Sequence, residues 1–134
     1  MVLGVMLLSG LALAEFESGT NGPDGLMGDH SRNRIYGFVG ADYIEGKGSA
    51  DALYGSGGHD EILGKDDKDY IEGGFGSDEL FGGDDNDNVS AADGYTDYVS
   101  RGSDSNDTAS VDGPATSAAT PTTATPTATA TAIP

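Results

Sequence analysis

One period of nine residues runs without a gap from Gly19 to Ser90, and no other feature of the sequence limits the fold so tightly. Glycine opens each unit at Gly19, Gly28, Gly37, Gly46, Gly55, Gly64, Gly73 and Gly82. The eighth place is aliphatic throughout: Leu26, Ile35, Ile44, Leu53, Ile62, Ile71, Leu80 and Val89. The sixth place holds Asp24, Asn33, Asp42, Asp51, Asp60, Asp69, Asp78 and Asp87, a carboxylate in seven units of eight. Self-similarity at a short fixed period belongs to solenoids, in which each unit buries its apolar residue only by stacking on its neighbours. Apolar residues come singly here, without the runs at helical spacing that mark an amphipathic helix.

Composition matters because it offers a competing explanation. The chain has 134 residues, room for one domain, and a formal charge of -17 from 23 acidic and six basic residues. High charge with low hydrophobicity is the composition of disorder. Disorder does not hold three residue columns in register over eight units, so the repeat overrides it. The acidic excess repels nucleic acid and anionic membrane surfaces and makes cations the natural partners. With no cysteine and no Trp, neither disulfides nor thiolate zinc sites are available.

At Gly73, Gly74, Phe75, Gly76, Ser77, Asp78, Glu79, Leu80 and Phe81 the unit resembles, place for place, the G-G-x-G-x-D-x-U-x unit of the RTX or haemolysin-type calcium-binding repeats. Gly82 to Ser90 departs from it only by Asp85. Elsewhere Thr20, Asp29, Phe38, Lys47, Ser56 and Lys65 replace the second glycine, and Ser31, Ser49, Asp67 and Asp85 the fourth. The resemblance implies an all-β fold, a right-handed parallel β-roll (β-solenoid). Six residues of each unit form a turn, three form a strand, and two units complete a coil. Eight units then give about four coils, roughly 20 Å long at the usual strand spacing.

On that fold the sixth places fall into two columns, Asp24, Asp42, Asp60 and Asp78 on one edge, Asn33, Asp51, Asp69 and Asp87 on the other. Carboxylates stacked so closely repel one another and need a counter-ion. Calcium suits the gap: it takes six to eight hard oxygens in flexible geometry, where magnesium demands a tight octahedron. The expected ligands are these eight residues, with Gly55, Gly57, Gly64, Asp66, Gly73, Gly74, Gly76, Gly82 and Asp84 lining the turns. Neighbours down each column give roughly six ions, weakest at Asn33 with Asp51 and best around Asp60, Asp69, Asp78 and Asp87. So thin an aliphatic spine is expected to leave the chain largely unfolded without calcium.

The flanks read differently. Residues 1–14 are almost purely apolar and end in Ala12, Leu13, Ala14, the pattern of a secretory signal cleaved before Glu15. At this length the segment is too short to span a bilayer, so no membrane insertion is expected after its removal. Residues 15–18 are a short lead. In residues 91–113 the register slips at Ala91 and again at Arg101, giving Asp97 with Val99 and Asp107 with Ala109, units that read as a cap. Residues 114–134, nearly all Thr, Ala, Ser and Pro, read as a disordered linker or stalk.

No catalytic constellation is present. His30 and His59 lie in no zinc or catalytic spacing and are expected in solvent, and no serine sits in a nucleophile elbow. Tyr36, Tyr54 and Tyr70 fall on the outside of one sheet, a candidate stacking surface for a cell-surface sugar or partner protein as well as ordinary strand-face packing. The chain therefore reads as a secreted, extracellular, non-enzymatic calcium-binding module, structural or surface-binding, with the non-catalytic remnant of a secreted hydrolase or toxin as the alternative.

Overall fold

In each unit an aliphatic side chain flanked by two others follows a glycine-rich turn, a sequence that alternates in burial and so makes a short strand. The computed structural model describes residues 15–104, 106–111 and 116–118. The expected signal segment lies outside these residues, as does most of the expected tail.

Twelve strands follow in order: β1 (Glu15–Ser18), β2 (Gly25–Met27), β3 (Asn33–Val39), β4 (Tyr43–Lys47), β5 (Ala52–Gly57), β6 (Glu61–Lys65), β7 (Tyr70–Phe75), β8 (Glu79–Gly83), β9 (Asn88–Ala91), β10 (Tyr98–Ser100), β11 (Thr108–Val111) and β12 (Thr116–Ala118). They form two six-stranded sheets, β1-β3-β5-β7-β9-β11 and β2-β4-β6-β8-β10-β12, in which every pairing is parallel. Consecutive strands alternate between the sheets, which is the winding of a β-roll, and no helix occurs among the described residues.

Register brings like to like. Leu26, Ile44, Ile62, Leu80 and Val99 pair in one column, and Ile35, Leu53, Ile71, Val89 and Ala109 in the other. From Leu26 to Val89 all eight eighth-place side chains are buried. The sixth-place residue and the first glycine of the following unit also face inward, so the interior is a narrow slot with an aliphatic centre and Asp and Gly margins.

The roll is longer than the eight units alone, about five turns where about four are expected. The lead contributes β1, and the irregular units contribute β10 and β11. Within the segment expected to be a structureless tail, Thr116–Ala118 forms β12 against β10. The two slips in register lengthen coils without breaking the ladders: Asp78 stacks on Asp97 at a separation of 19, and Asp87 on Asp107 at 20, where earlier coils repeat at 18.

The turns follow a longer period than the strands. On the first edge (turns 19–24, 37–42, 55–60 and 73–78) the fourth place is always glycine, and Gly40, Gly58 and Gly76 adopt φ of 153°, 143° and 131°. There a β-carbon on Gly58 or Gly76 would overlap the carbonyl oxygen of Gly40 or Gly58 in the coil before. On the second edge (turns 28–33, 46–51, 64–69 and 82–87) the fourth place is Ser or Asp, with φ of 78° at Ser49, 73° at Asp67 and 74° at Asp85. Backbone bonding differs too. Gly40 and Gly58 N–H groups donate forward to the Gly57 and Phe75 carbonyls, whereas Asp66 and Asp84 N–H groups donate back to those of Lys47 and Lys65.

Candidate metal sites

Stacking brings each sixth-place carboxylate against the backbone of the coil before it. One oxygen, Oδ1, accepts the N–H of the preceding sixth-place residue at 2.7–2.9 Å, from Asp24 N–H on Asp42 to Asp87 N–H on Asp107. The other, Oδ2, is buried with no hydrogen-bond donor in Asp42, Asp51, Asp60, Asp69, Asp78, Asp87 and Asp107. A buried carboxylate oxygen without a partner is costly, and repeated in seven aspartates of the two columns it marks a place for a positive ligand.

The missing side chain of the first-place glycine makes the room. A β-carbon on Gly46 would lie 2.6 Å from Asp51 Oδ2 and 3.0 Å from the Gly64 carbonyl oxygen of the next coil. The same two kinds of oxygen crowd that position at Gly37, Gly55, Gly64 and Gly82, with Arg101 supplying the carbonyl for the last. At Gly73 the nearest atoms all belong to the carboxylate side chain of Asp78. Two acceptor types therefore converge with no N–H or hydroxyl donor between them, the donor set of a hard cation. Among the described residues no three acidic or histidine side chains gather in one place, so an ion here relies on backbone carbonyls as well as carboxylates.

The electrostatics agree. Burial raises the carboxyl of Asp69 to about 8, those of Asp78 and Asp87 to about 7 and that of Asp51 to about 6, from an ordinary 3.8. Nearby aspartates push the same way, while the N–H bond to Oδ1 pulls down. Asp42, Asp60 and Asp107 are raised for the same first reason.

In the first coil the same crowding of oxygens occurs at Gly19 and Gly28, but the side-chain oxygens there already have donors. Asp24 Oδ2 accepts the N–H and hydroxyl of Thr20 at 2.6 and 2.9 Å. Asn33 Oδ1 accepts the Asp29 N–H at 3.0 Å, and its amide reaches Asp29 Oδ1 at 3.3 Å. Of the other expected site residues, Gly55, Gly64, Gly73 and Gly82 form the cradles, and Gly74 and Gly76 hold left-handed φ in the turns. Gly57 does neither: its φ is ordinary, and a β-carbon there would touch nothing nearer than 3.9 Å. Asp66 and Asp84 are exposed, so their carboxylates stand off the buried columns. Asp97 and Asp107, read from the sequence as part of a cap, extend the two columns, and Asp97 is as buried as Asp78. The signal was present in the pairs Asp97/Val99 and Asp107/Ala109, but a strict period of nine discounts it.

Outside the columns, His59 Nδ1 bonds the Ser77 carbonyl at 2.8 Å and so joins adjacent coils. Tyr36 and Tyr54 stack with centroids 4.6 Å apart and planes 6° apart, and Tyr70 lies against Tyr54 at 5.7 Å. These faces cover one another, the arrangement of strand-face packing.

A comparison with protein families matches the RTX calcium-binding nonapeptide repeat (4 copies) over residues 18–53, 36–71 and 63–95. No curated protein and no solved structure matches the chain.

Proposed function

Since the chain belongs to the RTX calcium-binding nonapeptide repeat family and its repeats wind into a β-roll, we propose that calcium between successive turns is what makes this roll stable, in a secreted structural or surface-binding module. The row of buried Oδ2 atoms without donors carries the reading. Residues from Asp42 and Asp51 through Asp78, Asp87 and Asp107, with first-place carbonyls, are the groups that would hold the ions. Calcium supplies the positive charge that lets these carboxylates stay ionised while buried. The chain's own contribution is rigid placement: each Oδ1 is fixed by an N–H, which aims Oδ2 at the cradle.

Extracellular calcium modules bind in the range of about 0.1–1 mM, so such a roll is stable outside a cell and unstable in cytosolic calcium. The apolar segment 1–14 supports export, and the absence of any catalytic grouping in the sequence supports a non-enzymatic role. Circular dichroism in chelator and in millimolar calcium, with equilibrium dialysis to count ions, is the test. The expected outcome is β structure only with calcium and roughly six bound ions. An unchanged β spectrum in chelator, or no retained metal, overturns it.

A further inference from the structure

The two edges of the roll differ in what they show to solvent. The first edge carries no charge before its sixth place and displays Phe38, Val39 and Phe75, which are 42, 59 and 70 % exposed. Val39, Gly57 and Phe75 stand in register in the third place of successive coils. Gly57 has ordinary φ, and a β-carbon there would make only ordinary contacts, at 3.9 Å from the Phe38 and Phe75 carbonyl oxygens, so neither backbone nor crowding calls for glycine there. Its effect is to leave one side of the Phe75 ring without a neighbour in that column.

Beside Phe75 a groove of about 430 Å³ runs over Ser56 and Gly74, with Tyr54, Glu72 and Asp93 also in its walls. No Lys, Arg or His lines it. Both carboxylates are held in place. Glu72 accepts the Tyr70 hydroxyl at 2.9 Å, and Asp93 accepts the N–H groups of Gly76 and Tyr95 at 2.8 Å each. Asp93 reaches the groove because the lengthened coil after Ala91 substitutes a side-chain oxygen for the third-place carbonyl that Gly40 and Gly58 use.

We infer that this groove is a docking site for an arginine side chain presented by a partner protein. An exposed aromatic face beside two oriented carboxylates, on a chain of charge -17, is complementary to a group both cationic and flat. Guanidinium stacks flat on an aromatic ring and forks onto carboxylates, while its aliphatic stem covers apolar surface; an ammonium is drawn to a ring and to a carboxylate as a point charge but neither stacks nor forks. The groups that would meet the guanidinium, Glu72, Phe75 and Asp93, stand outside the calcium columns and outside the residues expected to line the calcium turns; of the groove's walls only Gly74 is one of those residues.

Amide NMR of the full chain in calcium, titrated with the blocked tripeptide acetyl-Ala-Arg-Ala-amide and its citrulline counterpart, tests it. Peak dispersion reports whether the roll is folded, separately from binding. Saturable shifts at Ser56, Gly74 and Ala92 are expected, weakened about tenfold by citrulline, by Glu72→Gln and by Phe75→Ala. Shifts centred instead on Asp66 and Asp84 of the opposite edge, or unaffected by either substitution, overturn the site. Saturation of the same amides by cellobiose with none by the arginine peptide also overturns it, in favour of a saccharide.

Discussion

Lys47 and Lys65 hold φ of 85° and 88°, where an L side chain crowds its own backbone. Beyond the first coil the roll imposes this conformation on the second place, since Phe38 and Ser56 adopt it as well while Thr20 and Asp29 do not. Lys47→Gly should therefore stabilise the calcium-loaded roll by about 0.5–1 kcal/mol, relief of strain outweighing the greater freedom of the unfolded chain. The urea midpoint in calcium measures it. The reverse change at Gly58 meets the Gly40 carbonyl, and Gly58→Ala should lose more than about 3 kcal/mol by the same measurement. At the sixth place one substitution has effects of opposite sign. Asp69→Asn removes a carboxyl that is buried only by taking up a proton or a cation, so near neutral pH it should stabilise the metal-free chain and raise the calcium concentration needed for folding. Asp24→Asn should change both far less, because Thr20 already satisfies Asp24. Which sixth-place residues are metal-seeking was only partly legible in the sequence. Asn33 stands out by its missing charge, but the satisfaction of Asp24 depends on a turn whose second place, Thr20, lacks the left-handed φ of Phe38 and Lys47, a conformational fact that composition does not carry.

Between elements the repeating unit is the coil. The sequence made the strands plain, since one aliphatic between turn residues admits little else, and every eighth-place residue from Leu26 to Val89 is buried as its spacing requires. The difference between edges was equally present, as Gly22, Gly40, Gly58 and Gly76 against Ser31, Ser49, Asp67 and Asp85, but a nine-residue reading averages the two and records only departures. A pair of deletions separates these units. Removing residues 55–72 takes out one coil and keeps each edge stacked on its own kind. Removing residues 55–63 takes out less but lays Asp67 over Gly40, where a β-carbon has no room. The larger deletion should retain calcium-dependent β structure and the smaller should lose it or melt well below the parent, as thermal denaturation followed by circular dichroism will report.

Over the whole molecule the buried carboxylates make stability depend on pH as well as metal. Asp51, Asp69, Asp78 and Asp87 are raised in the fold to about 6, 8, 7 and 7, above the 3.8 of the ordinary group. Protonation is thus favoured in the folded state. Without metal, their contribution is fully present below about pH 4 and is lost as pH rises through 6 to 8. In chelator, β structure should accordingly increase as pH falls from 8 towards 5, and the calcium concentration needed for folding should stay level or fall over the same range, while the apparent calcium affinity of the folded roll weakens because protons and metal compete for the same oxygens. Circular dichroism titrations at several pH values check both.

The lengthened coils carry a consequence of another kind. A stack of identical rungs is a thread with no preferred length, and any further copy presenting the same step can lay itself on the last rung and prolong it. Steps of 19 and 20 residues after a run of 18 break that identity in the turns alone, because the strand ladders run through in register and β12 again pairs with β10 eighteen residues on. A copy laid on this end would meet strands in register but turns of unequal length, so the insertions set the last coils apart from the rest without closing the strand edge.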